Sequence, residues 1–167
     1  MELERGLLEK LAEAAHEVFC ETLRAKGYVY GPEIREEEKA HSSLRPYVEL
    51  SEEEREQNRA MVRDIPNKLA LAGYTLLPAG GEAPGQLTEA EIEKLAKAEH
   101  ERWMKQKLDS GWRRGDSTDK AKKLHRDLVP WDELSPDERD KDRALVAGIP
   151  KILAKAGYTI SKLSPLR

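Results

Sequence analysis

His100, Trp103 and Lys107 stand three and four residues apart in "HERWMKQK". On a helix turning about 100° per residue they share one face with Ile92 and Ala96. An imidazole, an indole and an ammonium in that order could stack a flat ring and hold an anion beside it. The first half of the chain carries an echo of this face in Leu8, Ala12, His16, Phe19 and Leu23. Phe19 and Trp103 therefore form one aromatic column, while Lys107 has only Leu23 opposite it. A half-open site explains the lysine; the competing reading is plain core, with the Lys107 stem buried and its ammonium in water.

Other chemistries lack their residues. The histidines come as His16 with His41 and His100 with His125, without the i, i+4 pairing or cysteine partners of a zinc site. No Gly-x-Ser-x-Gly elbow, phosphate-binding Walker loop or glycine-rich dinucleotide turn is present. Acidic residues abound, but none stands as an isolated pair in an apolar setting suited to acid–base work. The expectation is a protein without catalytic activity, cofactor or metal.

The elements that must position these residues are set by an internal duplication. Shifting the sequence by 84 positions aligns Leu8–Leu76 with Ile92–Ile160 without a gap, and 29 of those 69 positions are identical. The expected organisation is repeat 1 over residues 1–77, a Pro/Gly connector over 78–86, and repeat 2 over 87–167. Each repeat reads as helix, irregular middle, helix. The first helix is expected from about Leu3 to Arg24 in repeat 1. In repeat 2 it opens on the capping box Thr88/Glu91, runs to about Leu108 and stops at Gly111. Short strands are expected to follow at "GYVYG" and "GWRRG". "SEEE" at 51–54 and "SPDE" at 135–138 cap the second helices, which Pro66 and Pro150 should kink or split. Each repeat closes on "GYT", a further short strand expected to pair with the one after the first helix. The fold class is mainly α with short β strands (α+β), the repeats packing about a pseudo-twofold axis.

All nine aromatics fall in five aligned columns. Tyr28/Trp112, Tyr47/Trp131 and Tyr74/Tyr158 read as core, Tyr30 faces Arg114, and Phe19/Trp103 is the candidate site. Charge is lopsided: residues 1–83 hold 11 basic and 17 acidic side chains, net −6, and residues 84–167 hold 18 and 15, net +3. The anion-attracting half is the second, where Arg113, Arg114, Lys120, Lys122, Lys123, His125 and Arg126 cluster. A net charge of −3 over the chain argues against nucleic acid as the partner. A single cysteine, Cys20, and the lack of a long apolar segment lead us to expect a cytoplasmic protein with no membrane partner.

The ordered set His100, Trp103, Gly111, Trp112, Gly115, His125, Leu128, Pro130, Trp131, Leu134, Ser135, Arg139, Asp142, Arg143, Gly157, Tyr158 and Ile160 resembles the RyR repeat. That family is named for the ryanodine receptor calcium channels and includes short prokaryotic and viral proteins. The resemblance extends over both repeats. It implies a non-catalytic tandem in which the two aromatics of the His-x-x-Trp motif grip an adenine ring between the repeats. A basic residue one turn later and an asparagine in the second helix assist. Carried over, the rings are Phe19 and Trp103, the basic residue Lys107 and the asparagine Asn58. Phe19 for tryptophan and Leu23 for a basic residue depart from the pattern and leave phosphate recognition one-sided.

The expected function is accordingly binding of a small adenine-containing nucleotide: an ADP-ribose derivative, a cyclic nucleotide or a mononucleotide. Stacking by Phe19 and Trp103, worth about 1–3 kcal/mol per ring, would be joined by Lys107, Arg59, Arg143 and Asn58, with Asp142 accepting from ribose. His16, His100, Trp112, Arg114 and Tyr30 complete the expected lining. With no output domain in the sequence, the expected role is to sense or sequester a signalling nucleotide, as in antiviral defence. The alternative function is a protein–protein interaction module.

Overall fold

A computed structural model describes residues 3–163; the outermost residues of the two expected repeats lie outside that range. Six α-helices and six short strands follow one another in the same order in each half: α1 (Arg5–Ala25), β1 (Val29–Tyr30), β2 (Ala40–His41), α2 (Glu52–Arg63), α3 (Ile65–Leu71), β3 (Tyr74–Pro78), then α4 (Glu89–Asp109), β4 (Arg113–Arg114), β5 (Leu124–His125), α5 (Pro136–Ala147), α6 (Ile149–Lys155) and β6 (Tyr158–Lys162). The α+β class expected from the sequence is the one observed.

Local chemistry accounts for the boundaries. Thr88 accepts from the Glu91 amide and the Glu91 carboxylate accepts from the Thr88 amide, so α4 starts on a complete capping box. Ser51 and Ser135 accept from the amides of Glu54 and Glu138, the hydroxyl half of the capping boxes expected there. At the far end of α4, Gly111 takes φ +87°, a conformation that favours glycine. Of the two outcomes expected at Pro66 and Pro150 the helix splits: the chain turns at Asp64 and Gly148, and each proline sits in the first turn of a new short helix, where its missing amide costs little.

Packing divides the chain into two compact units, Met1–Gln86 with Gly148–Arg167, and Leu87–Ala147. In the first, α1 packs on α2 and on α6. Lys155 and Lys151 of α6 pair with Glu21 of α1 at 2.8 and 2.9 Å. Leu11, Val62, Ile65, Leu69, Ile149 and Leu153 are fully buried there. In the second unit α4 packs on α5 around Leu95, Ala96, Leu128, Trp131, Leu134 and Val146. The end of the second sequence repeat is thus built into the unit that begins with the first.

The strands overturn one expectation. Tyr74–Pro78 does not pair with the strand after α1; β3 pairs antiparallel with β6, and β1 pairs in parallel with β2, as β4 does with β5. Leu76 lies opposite Ile160, its own counterpart under the duplication, so the β3–β6 register is self-complementary as in an isologous twofold contact. The connector takes part: the Ala79 amide donates to the Gly157 carbonyl at 2.8 Å, and a Cβ on Gly85 would lie 2.8 Å from Ile160. A two-residue strand after the first helix is fully used by its near neighbour β2 or β5, which leaves the longer terminal strands to find each other. Of the three aromatic columns read as core, only Tyr47/Trp131 is buried; Tyr28, Trp112, Tyr74 and Tyr158 are half-exposed.

Candidate functional site

The face of α4 that carries Ile92, Ala96, His100, Trp103 and Lys107 grades from core to solvent. Ala96 and His100 are buried, and Trp103 and Lys107 are half-buried. His100 Nε2 lies 2.7 Å from the Val129 carbonyl oxygen; since a carbonyl only accepts, the imidazole donates and its tautomer is set. Held in that way, its ring stacks on Trp103 with centroids 5.7 Å apart. His125 meets Trp103 edge-on at 4.8 Å, its Nδ1 accepting from the Asp127 amide at 3.1 Å. Burial, and then the nearby Lys107 charge, push the His125 pKa below its ordinary value. A neutral imidazole is therefore the partner that Trp103 meets at neutral pH.

The first unit builds the same cradle around Phe19. His16 donates from Nε2 to the Arg45 carbonyl at 2.6 Å and stacks on Phe19 at 6.0 Å. His41, its Nδ1 accepting from the Ser43 amide, meets Phe19 edge-on at 5.3 Å. Phe19 remains 38% exposed although histidines fix it on two sides. His16 and His100 thus orient the rings from within the core; both are buried and turned to backbone carbonyls.

Other expected lining residues have defined partners. Arg59 binds Glu9 at 2.8 Å and Glu52 at 2.6 Å, and Arg143 binds Glu93 and Asp140, each at 2.7 Å. These carboxylates hold both guanidiniums well above their usual range. The pairs brace α1 on α2 and α4 on α5. Lys107 Nζ lies over the Trp112 ring at 4.4 Å. Asn58 donates to the Glu54 carbonyl at 3.2 Å. Tyr30 and Arg114 are exposed on β1 and β4. Lys123, from the basic cluster, reaches the Ser110 carbonyl at the end of α4, as Lys39 reaches Lys26 after α1.

Asp142 occupies the position of Asn58 in the duplicate. Burial, reinforced by Glu99, Glu138 and Asp127, raises its pKa to about 7. His100 Nδ1 lies 3.9 Å away. Glu99 itself is buried against Arg102, with two hydrogen bonds of 2.8 and 2.9 Å. Among the described residues no group of three or more His, Cys, Asp or Glu is arranged to hold a metal ion.

Two consecutive stretches, residues 2–78 and 85–162, match the model of the RyR domain family. The chain belongs to that family, as a tandem pair. In this chain the His-x-x-Trp motif, and His-x-x-Phe in the first repeat, is a ring and the histidine that orients it, with a second histidine, His41 or His125, closing the cradle. That second histidine and the acidic partners Glu9 and Glu93 were missing from the expected site. Their signal lay in the duplication, since both columns are identical in the two repeats. No helix among the described residues is long and apolar enough to cross a membrane.

Proposed function

We propose that this tandem RyR protein binds a small adenine-containing nucleotide and leaves it chemically unchanged. The carrying observation is the Trp103 ring, fixed by His100 and His125, only half-buried, with the Lys107 ammonium one helical turn away. A flat base stacks on the indole, and Lys107 swings from Trp112 to a phosphate. Phe19, cradled alike, offers a stacking surface within its own unit, and in the second unit Asp142 supplies a polar contact to the ligand. Arg59 and Arg143 act as braces in this reading. A binder of this kind senses its ligand or sequesters it.

Trp103→Ala tests the reading by titration calorimetry with ADP, beside circular dichroism. Loss of a stack worth about 1–3 kcal/mol weakens binding roughly 5- to 150-fold, with the helical spectrum retained. Unchanged affinity, or collapse of the fold together with binding, removes Trp103 from the site. Chromatography after long incubation should return the nucleotide intact; conversion that scales with protein concentration would instead reveal an enzyme.

The second reading, a protein interaction module, is favoured by a different observation. Val29, Tyr30 and Ile34 are 60%, 55% and 56% exposed, whereas their counterparts in repeat 2 are Arg113, Arg114 and Thr118. Absence of binding to any adenine nucleotide would give this reading the lead.

A further inference from the structure

The second unit contains an open cleft of about 400 Å³ lined by Arg114, Arg126, Asp127, Glu133, Glu138 and their apolar neighbours Val129 and Leu134, with Ser135 and Asp137 at the start of α5. Its lining is linked to the Trp103 cradle through the chain and the β4–β5 pairing. Arg126 and Asp127 directly follow His125, whose ring abuts Trp103, and Arg114 is the strand partner of His125. We infer that this cleft receives an uncharged sugar ring, the terminal sugar of a nucleoside diphosphate sugar whose adenine stacks on Trp103. The inference rests on the nucleotide reading above and narrows it to one ligand class.

The lining selects for hydroxyl groups. Two guanidiniums offer donors and four carboxyls, Asp127, Glu133, Asp137 and Glu138, offer acceptors. A sugar hydroxyl does both at once, donating to a carboxylate and accepting from an arginine. Carboxyls outnumber guanidiniums four to two, so a phosphate or another anion is repelled from the cleft itself. Asp127 and Glu138 lie side by side. Burial and the Glu138 charge push Asp127 up, while Lys141 and the bond from Asp127 hold Glu138 down despite its burial. Arg126 reaches Glu138 at 3.5 Å and keeps that wall in place.

Repeat 1 lacks this lining. Tyr30, Ser42, Ser43 and Arg45 stand where repeat 2 has Arg114, Arg126, Asp127 and Val129. Both guanidiniums and one member of the carboxyl pair are gone, and a long arginine replaces the small valine. The sugar site belongs to the second repeat, on the same side of the duplication as Lys107.

ADP and ADP-ribose form a matched pair of probes, alike in adenine, ribose and diphosphate and different in the terminal sugar. Calorimetry on the full chain should show ADP-ribose binding at least about tenfold more tightly than ADP. Arg126→Ala and Glu138→Gln should each erase most of that advantage and leave ADP affinity within about twofold of the parent. Arg126 is 61% exposed, so its removal does not endanger the fold. Equal affinities for the two probes, or an advantage surviving both substitutions, overturns the sugar site while the stacking reading stands. Failure of both probes to bind overturns the nucleotide reading and the sugar site with it.

Discussion

Trp103 and Phe19 occupy equivalent cradles, yet the residues one turn beyond them, Lys107 and Leu23, differ, and the difference is measurable. Lys107→Ala should weaken AMP well beyond its effect on adenosine, because only the nucleotide carries the charge the ammonium meets. The same substitution removes a positive neighbour from His125, whose pKa should rise toward the ordinary imidazole value, as followed by NMR titration. Equal losses for AMP and adenosine would take Lys107 out of phosphate recognition. Asp142 is the other residue with a definite signature. Its folded pKa, about 7, lies above the unfolded value, so the native state holds a proton that the unfolded chain has released. Stability contributed by that proton is complete below the unfolded pKa and is lost as pH rises toward 7. Asp142→Asn should therefore stabilise the protein, more at pH 8 than at pH 4.5. With allowance for partial solvation, a gain of about 1–2 kcal/mol corresponds to roughly 2–8 °C in Tm for a chain of this size. Asn58 already fills the equivalent place in repeat 1. A gain independent of pH would show that the carboxylate is solvated after all.

At the scale of elements, the helix that presents Trp103 begins on two reciprocal side-chain bonds. Thr88→Ala removes both the hydroxyl acceptor and the geometry that brings Glu91 back to the cap amide. It should cost about 1 kcal/mol in urea unfolding, with an unchanged m-value, and Thr88→Ser should restore most of it. An unaltered midpoint would mean that packing on α5 alone holds the start of α4. The strand pairs after α1 and α4 depend on a close approach: a Cβ on Gly31 or Gly115 would lie 2.9 Å from the Cβ of Ala40 or Leu124. Those pairs bring His41 and His125 to their rings, so the glycines act on the aromatic cradle from a distance.

For the molecule as a whole, β6 and α6 come from the second repeat but complete the unit that begins with α1. A fragment of residues 1–86 lacks the partner of β3 and the helix that covers α1. It should show reduced helicity and no cooperative thermal transition, and mixing with residues 87–167 should restore both. A fragment 1–86 that unfolds cooperatively at the temperature of the full chain would show that the first repeat is stable without β6.

Helix boundaries, stops and the duplication were legible in the residues because they rest on interactions reaching only three or four positions: Thr88 with Glu91, Gly111 in a conformation few other residues accept, Pro150 in a first turn. The neighbourhood of each ring and its histidine was equally visible, since the i, i+3 spacing of His16 with Phe19 and of His100 with Trp103 puts them together on one helix face. Partner choice was not legible. Three short strands in each half could pair in several ways, and β3 with β6 is a pairing between positions eighty or more residues apart, which no local pattern encodes. Arg59 and Arg143 looked available for a ligand because a guanidinium is unpaired in sequence until the fold brings Glu9 and Glu93, fifty residues away, against it. Asp142 likewise became a group with a pKa near neutrality only when tertiary packing buried it among Glu99, Glu138 and Asp127. Desolvation belongs to a place in the folded molecule, and the sequence names only the carboxylate that will be put there.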